Sequence, residues 1–256
     1  MKNKITKLLA ASAVLATSSI ASGATLQFDF GNGPLFDGTD NATNAPAGID
    51  DTFYNGVNAA GNITNILGGG SLVFGDGTAA TGVTVQLGDS SNAPVDGGFF
   101  SGGDGNGGGT GAVPGILDTT LGQDWIFSRG NDNLGVRVSG LAAGEYNVFA
   151  IVREPSALDR TYDVGIGVGD TSNLADLTVS SIGAITDDNL AFAEGLNFVQ
   201  QTVTVGSTSD FITVIVDPTN AAFGTIGGLQ IVAVPEPSST ALIGLGLMGF
   251  ALRRKR

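Results

Sequence analysis

Between residues 25 and 233 the sequence predicts an all-β body, a single antiparallel β-sandwich, and three observations carry that expectation. Apolar and polar residues alternate with a period of two in eight separate runs, and β-branched residues are concentrated there. Stretches rich in Gly, Asn and Asp lie between the runs. No internal segment repeats its apolar residues at the helical spacing, and no fixed-length repeat marks a solenoid or propeller.

Taken in chain order, residues 1–24 read as a secretory signal. A basic region ends at Lys7, the apolar run LLAASAVLATSSI follows, and the small residues Ala21-Ser22-Gly23-Ala24 offer cleavage after Ala24 or after Gly23. The body then supplies the strand candidates LQFDF (26–30), GVTVQL (82–87), LGVRVS (134–139), EYNVFAIV (145–152), TYDVGIGV (161–168), FVQQTVTV (198–205), FITVIV (211–216) and LQIVAV (229–234). In TYDVGIGV, Tyr162, Val164, Ile166 and Val168 share one face and Asp163, Gly165 and Gly167 the other, as in a strand with one side buried. EYNVFAIV is apolar on both faces beyond Asn147, which predicts an interior strand. The stretch GGFFSGGDGNGGGTG (97–111) reads as loop, and FVQQTVTV and FITVIV as a paired unit. Two packed sheets of jelly-roll-like arrangement accommodate such a strand set.

Composition excludes several functions. From Thr25 to Pro237 four arginines face twenty-four acidic residues, a net charge of about −20, which repels nucleic acid and anionic lipid. The chain has no cysteine, so no disulfide supports the exported body, and no histidine, so no Ser-His-Asp triad, Cys-His pair or His-ligated metal can be assembled. Carboxylates alone remain for acid/base chemistry, and Glu145, Glu154 and Glu194 are the glutamates of the body. Scattered solvated carboxylates on an acidic surface explain them without an active site.

Calcium is the metal this composition suits. Asp50-Asp51, Asp76, Asp104 with Asn106, and Asp187-Asp188-Asn189 lie in Gly-rich or polar stretches able to fold oxygens around a hard cation. Asp104-Gly105-Asn106 opens like an EF-hand loop, but Gly115 stands where that loop needs its bidentate Glu, so the EF-hand reading fails; no cofactor is required by the sequence, and a structural calcium of another kind is what these stretches leave open. For sugar binding, aromatic platforms outside the strand cores are Tyr54, Phe99 and Phe100, whereas Trp125 alternates with Phe127 and belongs to the core.

Residues 234–256 form the third segment. The run Ala241–Leu252 carries no charge and as a helix spans about 18 Å, or about 22 Å with residues 238–240, against a hydrocarbon core of roughly 30 Å. Behind it stand Arg253, Arg254, Lys255 and Arg256, an asymmetry that holds the C-terminus in the cytoplasm and the body outside. Pro235 and Pro237 each remove an amide donor and restrain a neighbour toward extended geometry, presenting Glu236 on an unwound segment. Gly244, Gly246 and Gly249 match the spacing of a dinucleotide fingerprint, but no strand precedes them and only seven residues follow, so they serve close helix packing instead.

Together, Val234-Pro235-Glu236-Pro237, the Gly-containing apolar run and the terminal basic cluster resemble the PEP-CTERM sorting signal. That resemblance implies export by the general secretory route across the inner membrane of a Gram-negative bacterium, then recognition by exosortase, a membrane-embedded cysteine protease or transpeptidase-like enzyme. It also implies an association with exopolysaccharide, biofilm or floc. Separately, VRVSGLAAGEYNVFAIVRE (136–154) with the later strand runs is similar to the galactose-binding-like sandwiches of many carbohydrate-binding modules, a likeness of pattern over roughly 130–234. The function expected is a non-enzymatic surface or matrix protein delivered by its tail through transient membrane insertion. A carbohydrate-binding module, and a glycoside hydrolase or lyase built on carboxylates, are the alternatives.

Overall fold

Alternation decides where each strand sends its side chains, and the computed structural model shows the result for residues 25–31, 53–57, 63–65, 71–89, 105–108, 124–128, 132–152, 159–184, 192–220 and 223–235. A six-stranded sheet runs β11 (Phe198–Val205), β8 (Gly144–Ile151), β14 (Gly228–Ala233), β1 (Thr25–Phe30), β2 (Asn55–Val57), β3 (Ile63–Asn65). A five-stranded sheet runs β10 (Thr178–Ile182), β9 (Tyr162–Val168), β12 (Ile212–Pro218), β7 (Leu134–Ser139), β4 (Thr84–Asp89). A small third sheet joins β13 (Gly224–Ile226), β6 (Asp124–Ser128) and β5 (Gly105–Gly108). Among these pairs only β1 with β2 is parallel. One 3-10 turn, Leu174–Asp176, is the helical element of the described residues.

The two larger sheets share one core. Leu26, Phe28, Val148, Leu229 and Ile231 from the first and Val136, Val138, Val164, Ile166 and Val214 from the second form a single buried cluster. Each of these side chains stabilises the fold by about 1.5–3 kcal/mol through lost contact with water. As its two apolar faces require, β8 is paired on both sides. It sends Tyr146, Val148 and Ala150 into the shared core and Phe149 and Ile151 to the opposite face, where they meet Tyr54 and Phe198 in a smaller cluster.

All eight strand candidates are strands, with ends displaced by at most two residues. Two expectations are corrected. Residues 105–108 of the Gly-rich stretch form β5 rather than loop, because a glycine backbone hydrogen-bonds to β6 as well as any other. FVQQTVTV and FITVIV do not pair: β11 joins β8, while β12 joins β7 and β9 in the other sheet. The connection 206–211 crosses between sheets, and since both strands bury one face on the common core, alternation alone is compatible with either arrangement.

The glycines of β9 have a packing role. A Cβ at Gly165 would stand 2.6 Å from Leu174 Cδ1 and 3.0 Å from Leu177 Cβ, and one at Gly167 would stand 2.9 Å from Leu177 Cδ2. Missing side chains there let the segment carrying Leu174 and Leu177 cover the outer face of the five-stranded sheet.

Candidate functional site

The last described strand, β14, ends at Ala233, where the tail sequence begins. In β14, Leu229, Ile231 and Ala233 face the core, and β8 and β1 flank the strand on either side. The Val234 amide still donates to the Glu145 carbonyl at 2.8 Å. Pro235 is exposed and has no amide proton, so the ladder stops there for a chemical reason. Glu236, Pro237, Arg253, Arg254, Lys255 and Arg256 lie outside the described residues, as do Ala24 and the apolar run. Among the described residues no helix is long and apolar enough to cross a membrane.

The first strand begins beside this exit. Thr25 pairs with Val232 and Gln27 with Gln230 across the antiparallel β1–β14 pair. Cleavage after Ala24 would make the first residue of an interior strand the mature N-terminus. At the same end, Gly144 of β8 pairs with Val205 of β11, and the Gly140 amide donates to the Thr208 carbonyl at 3.0 Å, joining the 140–143 and 206–211 connections. Tyr146 donates its hydroxyl to the Ala142 carbonyl at 2.9 Å, and burial raises its pKa. Asp210 accepts from the Gly206 and Ser207 amides, and the Gly206 bond, followed by the Ser207 hydroxyl, lowers its pKa.

The ligand candidates divide. Tyr54 is corrected from platform to core: it is 1 % exposed, its ring sits in the smaller cluster, and its hydroxyl accepts from Gln230 Nε2 at 3.1 Å. Tyr54 directly precedes β2, whose three residues are too few to show a period that would reveal this. Gln230 also donates to Gln27 Oε1 at 2.7 Å, and Asn55 fastens the Val73 backbone with bonds of 2.8 Å in both directions, so these buried amides are occupied in holding strands together. Phe99 and Phe100 lie outside the described residues.

For calcium, Asp104, Asp187 and Asp188 also lie outside them. Asn106 is corrected from loop to strand, being opposite Ile126 in the β5–β6 ladder. Asp76 accepts from the Thr78 amide at 2.9 Å and hydroxyl at 2.7 Å, the hydroxyl being the larger cause of its lowered pKa. Among the described residues no three carboxylates gather as a metal site.

Two polar constellations were not anticipated. Arg137, 3 % exposed, pairs with Asp170, donates to Gln86 Oε1 at 2.5 Å and lies over the Phe211 ring at 4.4 Å. The run LGVRVS contains its signal, an arginine in an otherwise uncharged strand. Second, Asp163 and Asp217 are direct cross-strand partners of β9 and β12, and Ser181 donates to Asp163 at 2.6 Å. Burial first, and the Asp163 charge second, raise the pKa of Asp217. The members of each constellation come from segments distant in sequence, so spacing does not bring them together.

The class these observations define is an all-β body of two large sheets around one core, continued directly into a short signal-bearing tail. Residues 233–256 match the PEP-CTERM protein-sorting motif, so the tail carries that signal. No curated protein matches the chain. Among solved structures, a calcium-binding mutant of Bacteroides uniformis beta-glucuronidase 2 is similar with a TM-score of 0.32 at 12% identity, over 56% of this chain and 15% of that one. An exo-beta-1,3-galactanase from Phanerochaete chrysosporium is similar with a TM-score of 0.32 at 10% identity, over 63% and 32%. The CBM35 from Cellvibrio japonicus is similar with a TM-score of 0.27 at 12% identity, over 59% and 95%. The chain thus spans less than a third of the length of the two enzymes.

Proposed function

We propose that this is an exported, non-enzymatic protein of the cell surface or extracellular matrix of a Gram-negative bacterium, held briefly by its tail and processed there by exosortase. The observation that carries the reading is the sorting motif over 233–256, joined to β14 with Val234 still in the sheet and Pro235 already out of it. A processing enzyme reads an extended, unpaired substrate, and Pro235 and Pro237 support such a reading because each lacks an amide donor and disfavours helical geometry in the residue before it. An apolar stretch of about 22 Å serves as a transient anchor and is too short for a durable one. Absence of histidine and cysteine from the sequence supports a binding or structural role for the body. We read the two sheets as a jelly-roll, galactose-binding-like sandwich, and an extracellular polysaccharide as the matrix component it accompanies.

The test is mass spectrometry of the protein recovered from a host with active exosortase. Loss of the terminal Arg253–Arg256 segment, and release of unprocessed chain to the medium when all four basic residues are replaced by Ser, are expected. Recovery of an intact C-terminus from the cell surface would overturn the reading.

A further inference from the structure

At the end of the six-stranded sheet, β11 is the longest edge strand among the described residues, and its sequence FVQQTVTV carries no charge and no proline. Charges, prolines and bulges are the usual devices that keep an edge from pairing, and β11 runs along β8 in unbroken register. We infer that β11 is a self-association surface, to which a second copy of this chain adds its own β11 antiparallel, across a two-fold axis at Thr202.

The ladder decides which backbone groups are available for this. The Val152 amide donates to the Asn197 carbonyl at 3.1 Å, so Asn197 and, by alternation, Val199, Gln201, Val203 and Val205 direct their backbone groups at β8. Phe198, Gln200, Thr202 and Thr204 direct theirs away from the sheet. Two bonds agree with that assignment: the Gly195 amide donates to the Phe198 carbonyl at 2.9 Å, and Gln201 Nε2 to the Thr202 carbonyl at 3.2 Å. The first closes the start of the edge, and the second is a lone side-chain bond that a backbone donor can replace. Among the described residues nothing else bonds the outward amides and carbonyls of Gln200, Thr202 and Thr204, and both threonines are exposed.

A second copy is the partner because this edge matches itself. Centred on Thr202, the register sets Gln200 opposite Thr204 of the second copy and Thr202 opposite its own counterpart, so each outward amide meets an outward carbonyl. Even positions face even positions, which keeps the core faces of both copies on one side of the joined sheet. Val199 then meets Val205 on that side. A centre at Gln201 would instead oppose Thr204 to Phe198, whose carbonyl Gly195 already occupies.

Charge permits the pairing despite the acidic body. Residues 198–205 carry none, and Glu194 and Asp210 lie beyond the ends of the paired stretch. Glu145, opposite Thr204 on β8, stands about 20 Å from its counterpart in this register, beyond the Debye length of about 8 Å at physiological ionic strength.

The chain has no cysteine, so single thiols report the register. Full-length Thr202→Cys, Gln200→Cys and Thr204→Cys are purified in detergent and oxidised at about 0.15 M ionic strength. In the proposed dimer, position 202 lies about 5.5 Å from its counterpart, within disulfide reach, while positions 200 and 204 each lie about 14 Å from theirs. About tenfold more disulfide-linked dimer is expected for Thr202→Cys than for either other variant alone, with the cross-link recovered when Gln200→Cys and Thr204→Cys are mixed. The mixture leaves Thr202 intact, so it tests the register even where Thr202→Cys fails to fold. Thr202→Lys added to both members sets two cations face to face at the axis and should return the mixture to the single-variant level. Equal cross-linking at the three positions, or none in the mixture, overturns the pairing.

Discussion

Gln27 and Gln230, 203 positions apart in sequence, are cross-strand partners and share a side-chain hydrogen bond of 2.7 Å. The first and last strands of the body therefore lie side by side in the interior of the six-stranded sheet. Without β14 that sheet separates into β11–β8 and β1–β2–β3, and neither half covers the core.

The first prediction concerns this closure. Residues 25–235 should melt cooperatively with a β-type circular dichroism spectrum, whereas deletion of Gly228–Ala233, or Val232→Pro within it, should abolish the cooperative transition. Proline in an interior strand removes a ladder bond and clashes with its neighbours. Amide exchange should show β1 losing protection together with β8.

Tyr54 separates core from binding platform. Tyr54→Phe should cost about 1 kcal/mol, the value of one hydrogen bond, because Gln230 loses an acceptor. Tyr54→Ala should cost about 3–5 kcal/mol by emptying the smaller cluster. Urea denaturation of both variants measures this. A Tyr54→Ala protein as stable as the parent would mean the ring is not core.

Arg137 and Asp170 should respond unequally. Arg137→Met replaces a buried cation with a hydrophobe of similar length and should cost about 1 kcal/mol, while Asp170→Ala strands the guanidinium and should cost about 2 kcal/mol. Phe211 and Gln86 remain as partial partners, and the 38 % exposure of Asp170 keeps its loss below that of a fully buried pair. Equilibrium unfolding at two salt concentrations gives the ordering, and a reversed ordering would refute the account.

Asp217 sets a pH signature. Its folded-state pKa is raised above 3.8, so charging it opposes folding: its contribution is most favourable below 3.8 and declines as pH rises through the folded value. Asp217→Asn should therefore raise stability at pH 7, on the order of 0.5 kcal/mol after solvent screening, and have no benefit at pH 3. Thermal melts at both pH values decide it. A parallel melt of the parent at pH 7 should rise with monovalent salt, because about twenty net negative charges repel across a Debye length that shrinks from about 30 Å at 0.01 M to about 10 Å at 0.1 M. Any further rise in millimolar calcium at equal ionic strength measures ion binding by mass action, about 2.7 kcal/mol at a hundredfold excess over the dissociation constant.

Strand identity was legible because alternation is local: adjacent side chains must point to opposite faces, so VRV, YNV and TVT declare themselves within a few residues. The tail was legible for the same reason, since a proline pair, an uncharged run and a basic end act through their order along one short segment. Pairing was not, because each strand needs only some partner and one buried face, and several candidates satisfy that equally. Short elements such as β2, β3 and β13 have too few residues to show a period, and β5 is built of glycine and asparagine, whose side chains give none. The sequence by itself determined an exported, disulfide-free β protein with a signal-bearing tail, through composition and nearest-neighbour pattern. Only the tertiary structure decided that Tyr54 is core, that Asp163 faces Asp217, and that Thr25 stands beside Val232. Those contacts join residues far apart in the chain, and their energies exist only once the backbone has brought the strands together.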